Sequence, residues 1–174
     1  MTSPSPIPRN ATPLDLLFPD LAAEISATRK MLEAIPDGHE DWKPHVKNMT
    51  LGALAAHVTE MPRFTKLFLD MDEMDWATFQ WQETPLTSTA ERLAHFDTVS
   101  AELTAALGAA DWPSMSQTWI MRGGDVVYMK DLRATTVRLA GISHMVHHRA
   151  QLGVYLRLLD VAIPGPYGQS ADKM

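Results

Sequence analysis

The feature that most constrains this chain is a stretch from about Asp131 to the residue before Pro164 that contains no strong helix breaker. Apolar residues recur along it at helical spacing, so it predicts one long helix. A helix with an apolar stripe needs other elements to cover that stripe. Three earlier stretches can do so. Leu16, Leu17, Leu21, Ile25 and Leu32 mark a first helix from about Pro13 to Ala34, ended by Ile35-Pro36-Asp37-Gly38. Thr50 is a good N-cap for a second helix. Pro62 lies inside that helix and predicts a kink or an end to its first part. Thr87 to Thr89 offer N-caps for a third helix running to about Ala109, with Glu91 completing a capping box.

Between the second and third helices, residues 70–87 are acidic and aromatic, with Trp76, Phe79 and Trp81, and read as a long loop. Trp119-Ile120-Met121-Arg122, then Gly123-Gly124, then Asp125-Val126-Val127-Tyr128 reads as a two-residue hairpin. A hairpin that small is stable only when packed against helices. Gly141 and Gly153 fall inside the last helix, where each permits close packing. The expected fold is therefore all-α, a four-helix bundle with a small β-hairpin before the last helix. Residues 1–12, polar and proline-rich, read as a flexible N-terminal arm, and 13–174 as a single helical domain.

Composition removes several kinds of function. The chain has no cysteine, which excludes disulfides, thiolate metal sites and a catalytic cysteine. Its net charge of −6 argues against a nucleic-acid partner, which needs a basic face. The first ten residues lack the apolar run of a signal peptide, and no stretch approaches the ~20 apolar residues of a membrane span. A cytoplasmic location is the expectation. Eleven Met and five Trp are generous for this length and hint at a cavity.

The chemistry lies in the histidines. His144 and His148 are four residues apart on the last helix, so their directions differ by about 40° and both rings reach one point. Val137 and Tyr155 fall at about 20° from His144 and Leu152 at about 80°, which puts His148 in the middle of an apolar arc. His147 falls about 60° to the other side, at the arc's edge. On the second helix His57 shares a face with Phe68, Met61, Leu54 and Phe64. Each buried imidazole carries a donor and an acceptor that need partners. A shared cation satisfies three acceptors at once, so His57, His144 and His148 are the candidate metal ligands. His39, His45 and His95 read as surface or loop residues. Glu60, three residues after His57, reads as a solvated charge. Arg149 and Gln151 flank the ligands and are either supporting groups or surface residues.

These residues resemble a known family. Thr50-Leu51-Gly52-Ala53-Leu54-Ala55-Ala56-His57 resembles the opening of helix 2 in the DinB/YfiT-like proteins. His144-Met145-Val146-His147-His148-Arg149-Ala150-Gln151-Leu152 resembles their helix 4 signature, and Tyr167-Gly168-Gln169-Ser170-Ala171-Asp172 their usual C-terminal stretch. The resemblance implies an up-down-down-up bundle and a divalent metal, zinc or nickel, at positions matching His57, His144 and His148. It implies frequent homodimers. It also implies thiol-dependent transferases or isomerases that draw on a low-molecular-weight thiol, although a family name alone supplies no substrate.

Three protein ligands leave a divalent ion with an open position. Two enzyme readings follow: activation of an external thiol for transfer or isomerisation, and hydrolysis by activated water. The lack of cysteine makes an external thiol the only thiol source. The lack of a carboxylate base that can be placed in the pocket counts against hydrolysis. A third reading is a non-enzymatic, stress-associated metal-binding module. The catalytic residues stay unassigned and the expected partner is a small-molecule substrate. Finally, Leu139, Ile142 and Val146 lie nearly opposite the histidines on a uniform helical wheel, which suggests a homodimer surface.

Overall fold

The structure is a computed structural model and describes residues 11–173. Residues 1–10 of the expected arm lie outside the described residues. Thr12 caps the first helix, accepting from the Asp15 backbone N–H while the Asp15 carboxylate accepts from the Thr12 N–H.

The first predicted helix is two helices, α1 (Pro13–Leu17) and α2 (Leu21–Glu33). Pro19 makes the break: it brings no N–H and bars the residue before it from helical geometry, and Phe18 takes φ −134°, ψ 46°. The second, α3 (Leu51–Asp70), starts where expected, with the Thr50 hydroxyl accepting from the Ala53 N–H. It continues through Pro62. The third, α4 (Thr89–Ala109), begins on a full Ser88/Glu91 capping box. A short α5 (Trp112–Met115), capped by Asp111, follows.

Inside the expected loop lies a strand, β1 (Glu73–Asp75), which pairs in parallel with β2 (Thr118–Gly123). β2 pairs antiparallel with β3 (Val126–Leu132), so the hairpin belongs to a three-stranded sheet of order β1-β2-β3. Its turn sits one residue later than predicted. Gly123 pairs with Val126, and the first turn position is Gly124, at φ +59°, a conformation glycine adopts without steric penalty.

The last helix has three parts: α6 (Arg133–Thr136), a π-helical stretch (Val137–Ser143) and α7 (His144–Leu158). β3 takes up Asp131 and Leu132, so the helix starts later than predicted. It also ends before Pro164. Asp160 adopts φ 58°, Val161 N–H bonds the Leu156 carbonyl and Asp160 N–H the Arg157 carbonyl, a Schellman closure with Asp where Gly is usual. The π turn sits where Gly141 meets α3: a Cβ on Gly141 would lie 2.5 Å from Thr65 Cγ2.

α2, α3, α4 and the last helix form the up-down-down-up bundle. α2 and α3 each pack on both α4 and α7. One apolar cluster, around Leu32, Leu54, Val58, Phe96, Leu152 and Leu156, fills the α7 end. A second, around Phe18, Phe68, Met74, Leu103, Trp119 and Ile142, joins α1 and the sheet to the π stretch. Ile142 is thus buried within its own chain and unavailable to a partner, while Leu139 is exposed and Val146 half-buried. The uniform wheel failed here because i→i+5 bonding winds residues upstream of His144 more slowly than 100° per residue. Among the described residues no helix is long and apolar enough to cross a membrane.

Candidate metal centre

His57 comes from the second turn of α3, and His144 and His148 from the first turns of α7. The structure brings all three together: each offers a ligand atom, and these atoms lie within 4.8 Å of one another. The rings meet at centroid distances of 5.3 Å (His57–His144), 4.5 Å (His57–His148) and 4.6 Å (His144–His148). They are half-buried. The buried face of α7 centres instead on Met145, Arg149, Leu152 and Leu156, about 100° round from His144. His148 is therefore at the margin of the apolar arc and not in its middle, and the site opens outward.

The partners of the outer nitrogens fix the tautomers. His148 Nδ1–H donates to Gln151 Oε1 at 2.8 Å, and His144 Nδ1–H to the Ala140 carbonyl at 3.3 Å. Both rings then turn an Nε2 lone pair inward, and these two atoms are 2.7 Å apart. Lone pairs that close repel unless a proton or a metal cation lies between them. Burial, then the neighbouring His148 and His144, depress the His57 pKa to about 4. Burial is also the first cause lowering His144 and His148. Neutral imidazoles with bare nitrogens converging on one point form a donor set that suits zinc, nickel and similar divalent ions.

Gln151 does more than flank the site. It holds His148 through Oε1 and donates through Nε2 to His147 Nε2 at 3.1 Å. His147 is exposed and outside the cluster, as the wheel predicted. Arg149 points away from the histidines. It is buried against Glu24, 2.7 Å from Oε2, and bonds Thr28 and the Tyr167 hydroxyl.

His57 and His144 form one end of a cavity of about 360 Å³. Its walls include Met49, Met61, Phe64, Trp76 and Trp81, as the surplus of Met and Trp suggested. They also include Glu60, which is buried and not a solvated charge. Glu60 Oε2 lies 2.5 Å from Arg63 Nε, and Oε1 3.0 Å from His95 Nε2. The second approach is close but not aligned as a hydrogen bond. His95 is thus a partner of Glu60 and not a surface residue. Glu60 is offset from His57 by about 60° around the helix, and both still line the cavity. Nothing in the sequence pairs His95 with Glu60. The run of aromatics within an acidic loop was the available signal for Trp76 and Trp81.

The fold and the site together define a helical-bundle protein with a three-histidine candidate metal centre at the mouth of an apolar cavity. The profile of the DinB family matches residues 10–174, and the chain belongs to that family. It is similar in structure to a DinB-like protein from Bacillus subtilis, at 19% identity and a TM-score of 0.65, covering 88% of this chain and 97% of that one. It is also similar to a DinB-like protein from Bacillus cereus, at 18% identity and a TM-score of 0.61, covering 86% of this chain and 94% of that one. No curated protein matches the sequence.

Proposed function

We propose that this chain is a metal-dependent enzyme that engages a low-molecular-weight thiol for transfer or isomerisation. The observation that carries the reading is the pair of inward Nε2 lone pairs of His144 and His148, with the neutral His57 beside them. These three side chains would hold a divalent ion, zinc or nickel, and among the described residues no fourth His, Asp or Glu joins the cluster. When bound, such an ion supplies an open position at which a thiol or a water loses its proton readily. The chain's own residues do the rest. Gln151 sets the His148 tautomer, the Ala140 carbonyl sets that of His144, and the cavity places a largely apolar wall beside the centre. With no cysteine in the chain, any thiol arrives from solution.

A hydrolytic second reading is favoured by one specific observation: Glu60 sits in the cavity wall, where a carboxylate can accept a proton from water. Its Oε2 is already engaged by Arg63 and its Oε1 is approached by His95, so the thiol reading stands first.

Metal analysis of protein purified without a nickel column tests the shared premise: about one divalent ion per chain is expected. Consumption of bacillithiol, mycothiol or glutathione against model electrophiles then separates the readings. Thiol transfer that is lost with chelator and in His144→Ala supports the first. Stoichiometric metal with no thiol binding or turnover sinks it, and ester or amide hydrolysis lost in Glu60→Gln would put the second in its place. Metal-free protein would sink both.

A further inference from the structure

The aromatic wall of the cavity, which offers no ligand atom for a metal, is a packed group of rings. Phe64, on α3, lies nearly parallel to Trp76 at 6.2 Å and 18°, and meets Trp81 edge-on at 5.9 Å and 79°. Two indoles from the loop after β1 thus form a corner with one ring of the bundle. The loop is fastened at both ends of the corner. The Trp76 N–H donates to the Arg122 carbonyl at 2.8 Å, which ties it to β2. Arg63 stands 4.0 Å from the centre of the Trp81 ring and donates to the Gln82 carbonyl at 2.7 Å. Two tryptophans held in place this way, with Trp76 still 40% exposed, leave apolar surface facing a cavity and not a core. A large apolar surface kept out of the core marks a place where something binds.

The charges lining the space narrow what that is. They are the carboxylates of Glu60 and Glu83; among the described residues no Lys or Arg lines the cavity. Arg63, one turn on from Glu60, is already committed to Glu60, to the Gln82 carbonyl and to the face of Trp81. An anionic group placed away from the histidines would meet ring faces and carboxylates with no cation to receive it. The volume, about 360 Å³, is near the lower end for small-molecule sites, which run from roughly 300 to 1,000 Å³.

We propose that the Phe64–Trp76–Trp81 corner is the subsite for an aromatic or similarly flat apolar group of a compact molecule that carries no negative charge beyond the donor atom it presents to the histidine end. The placement of that donor rests on the metal reading above; the corner itself does not. The substrate class follows: aryl or arylalkyl compounds with an uncharged or cationic body, in preference to carboxylated ones.

Two measurements on the full chain test it separately from the metal. In metal-free protein, benzyl alcohol should shift the indole N–H resonances of Trp76 and Trp81 saturably, leaving Trp112 and Trp119 unmoved. Absence of a saturable shift at both indoles overturns the proposal, whatever the metal does. In zinc-loaded protein, benzohydroxamate should bind about tenfold more tightly than acetohydroxamate, the size of effect that burying one ring produces. Trp81→Ala and Phe64→Ala should each bring that ratio toward one, while Trp81→Phe retains it. 4-Carboxybenzohydroxamate should bind several-fold more weakly than benzohydroxamate. Equal affinity for the two hydroxamates, a ratio that survives Trp81→Ala, or tighter binding of the carboxylated analogue overturns the proposal. Protein that takes up no zinc removes the metal reading, and the benzyl alcohol result alone then decides the corner. Ring discrimination in a protein that binds no thiol leaves the corner standing and the thiol reading fallen.

Discussion

His148 and Arg149 are adjacent in α7, yet they enter two very different polar clusters. Arg149 reaches Glu24 Oε2, the Glu24 carbonyl, Thr28 and Tyr167, and the Tyr167 hydroxyl in turn donates to the Glu24 carboxylate at 2.8 Å. None of the buried side-chain atoms of Arg149, Glu24 or Thr28 lacks a partner. His148 shares a cluster in which acceptors face acceptors. A saturated buried network ties elements together, here α2, α7 and the C-terminal tail. A network with surplus lone pairs does not stabilise the bundle by itself and could take up a cation.

The contrast can be broken from either side. His148→Ala removes one ligand of three and should take metal content from about one ion per chain to near zero, measured by elemental analysis after dialysis. The variant should stay folded; unfolding would mean that the histidines carry the bundle. Arg149→Ala should do the reverse. It leaves the Glu24 carboxylate buried without its partner, an effect of about 3–5 kcal/mol, read as a drop in urea midpoint, while the folded fraction still binds metal. Full stability in that variant would show that the network is dispensable. Gln151→Ala should weaken metal binding about 10- to 100-fold by freeing the His148 tautomer, whereas His147→Ala should leave it nearly unchanged. Competition with a chromophoric chelator separates the two.

Acidity should sharpen the same contrast. The folded state keeps His57 unprotonated down to about pH 4, while the unfolded chain takes up that proton near 6.5. Between those values the unfolded state binds more protons, so metal-free protein should lose stability as the pH falls through that window and gain no further loss from this residue below it. Melting curves from pH 7.5 to 4.5 should show a shallower decline in His57→Gln. An identical decline would mean that burial of His57 does not set its proton affinity.

What the sequence makes legible is what depends on neighbours three or four residues apart. Thr50 and the Ser88/Glu91 box are local hydrogen-bond chemistry, and both caps form as read. The cluster of His57, His144 and His148 follows from the pitch of two helices and one i, i+4 pair. The parts that escaped depend on distant contacts. β1 is three residues whose ladder partner among the described residues lies some 47 positions away, with Glu73 against Ile120. The corner of rings needs that strand to place Trp76. The π turn depends on Thr65 of α3 meeting Gly141, which no window on the last helix contains. Asp160 closes α7 in a conformation that the sequence usually signals with glycine. Pro19, in contrast, is a local signal: it splits the first helix although the apolar stripe continues on both sides of it.

The π stretch also bears on how this chain should be aligned with others. It contains one residue more than a regular helix of the same rise needs, and it separates the histidine motif from Arg133, anchored on Asp72, while Arg138, anchored on Asp20, is its second residue. Removing one residue between Arg138 and Ser143 would restore an even helix and keep all three histidines. It would also turn all that precedes by about 100° relative to the histidines, so those two arginines would face elsewhere. A relative with an ordinary helix here therefore owes its single-residue gap to the interior of the helix and not to a flanking loop. Its arginine anchors should be shifted by one position against an ungapped match of the histidines. A solved relative with the shorter helix and unshifted anchors would refute this placement of the gap.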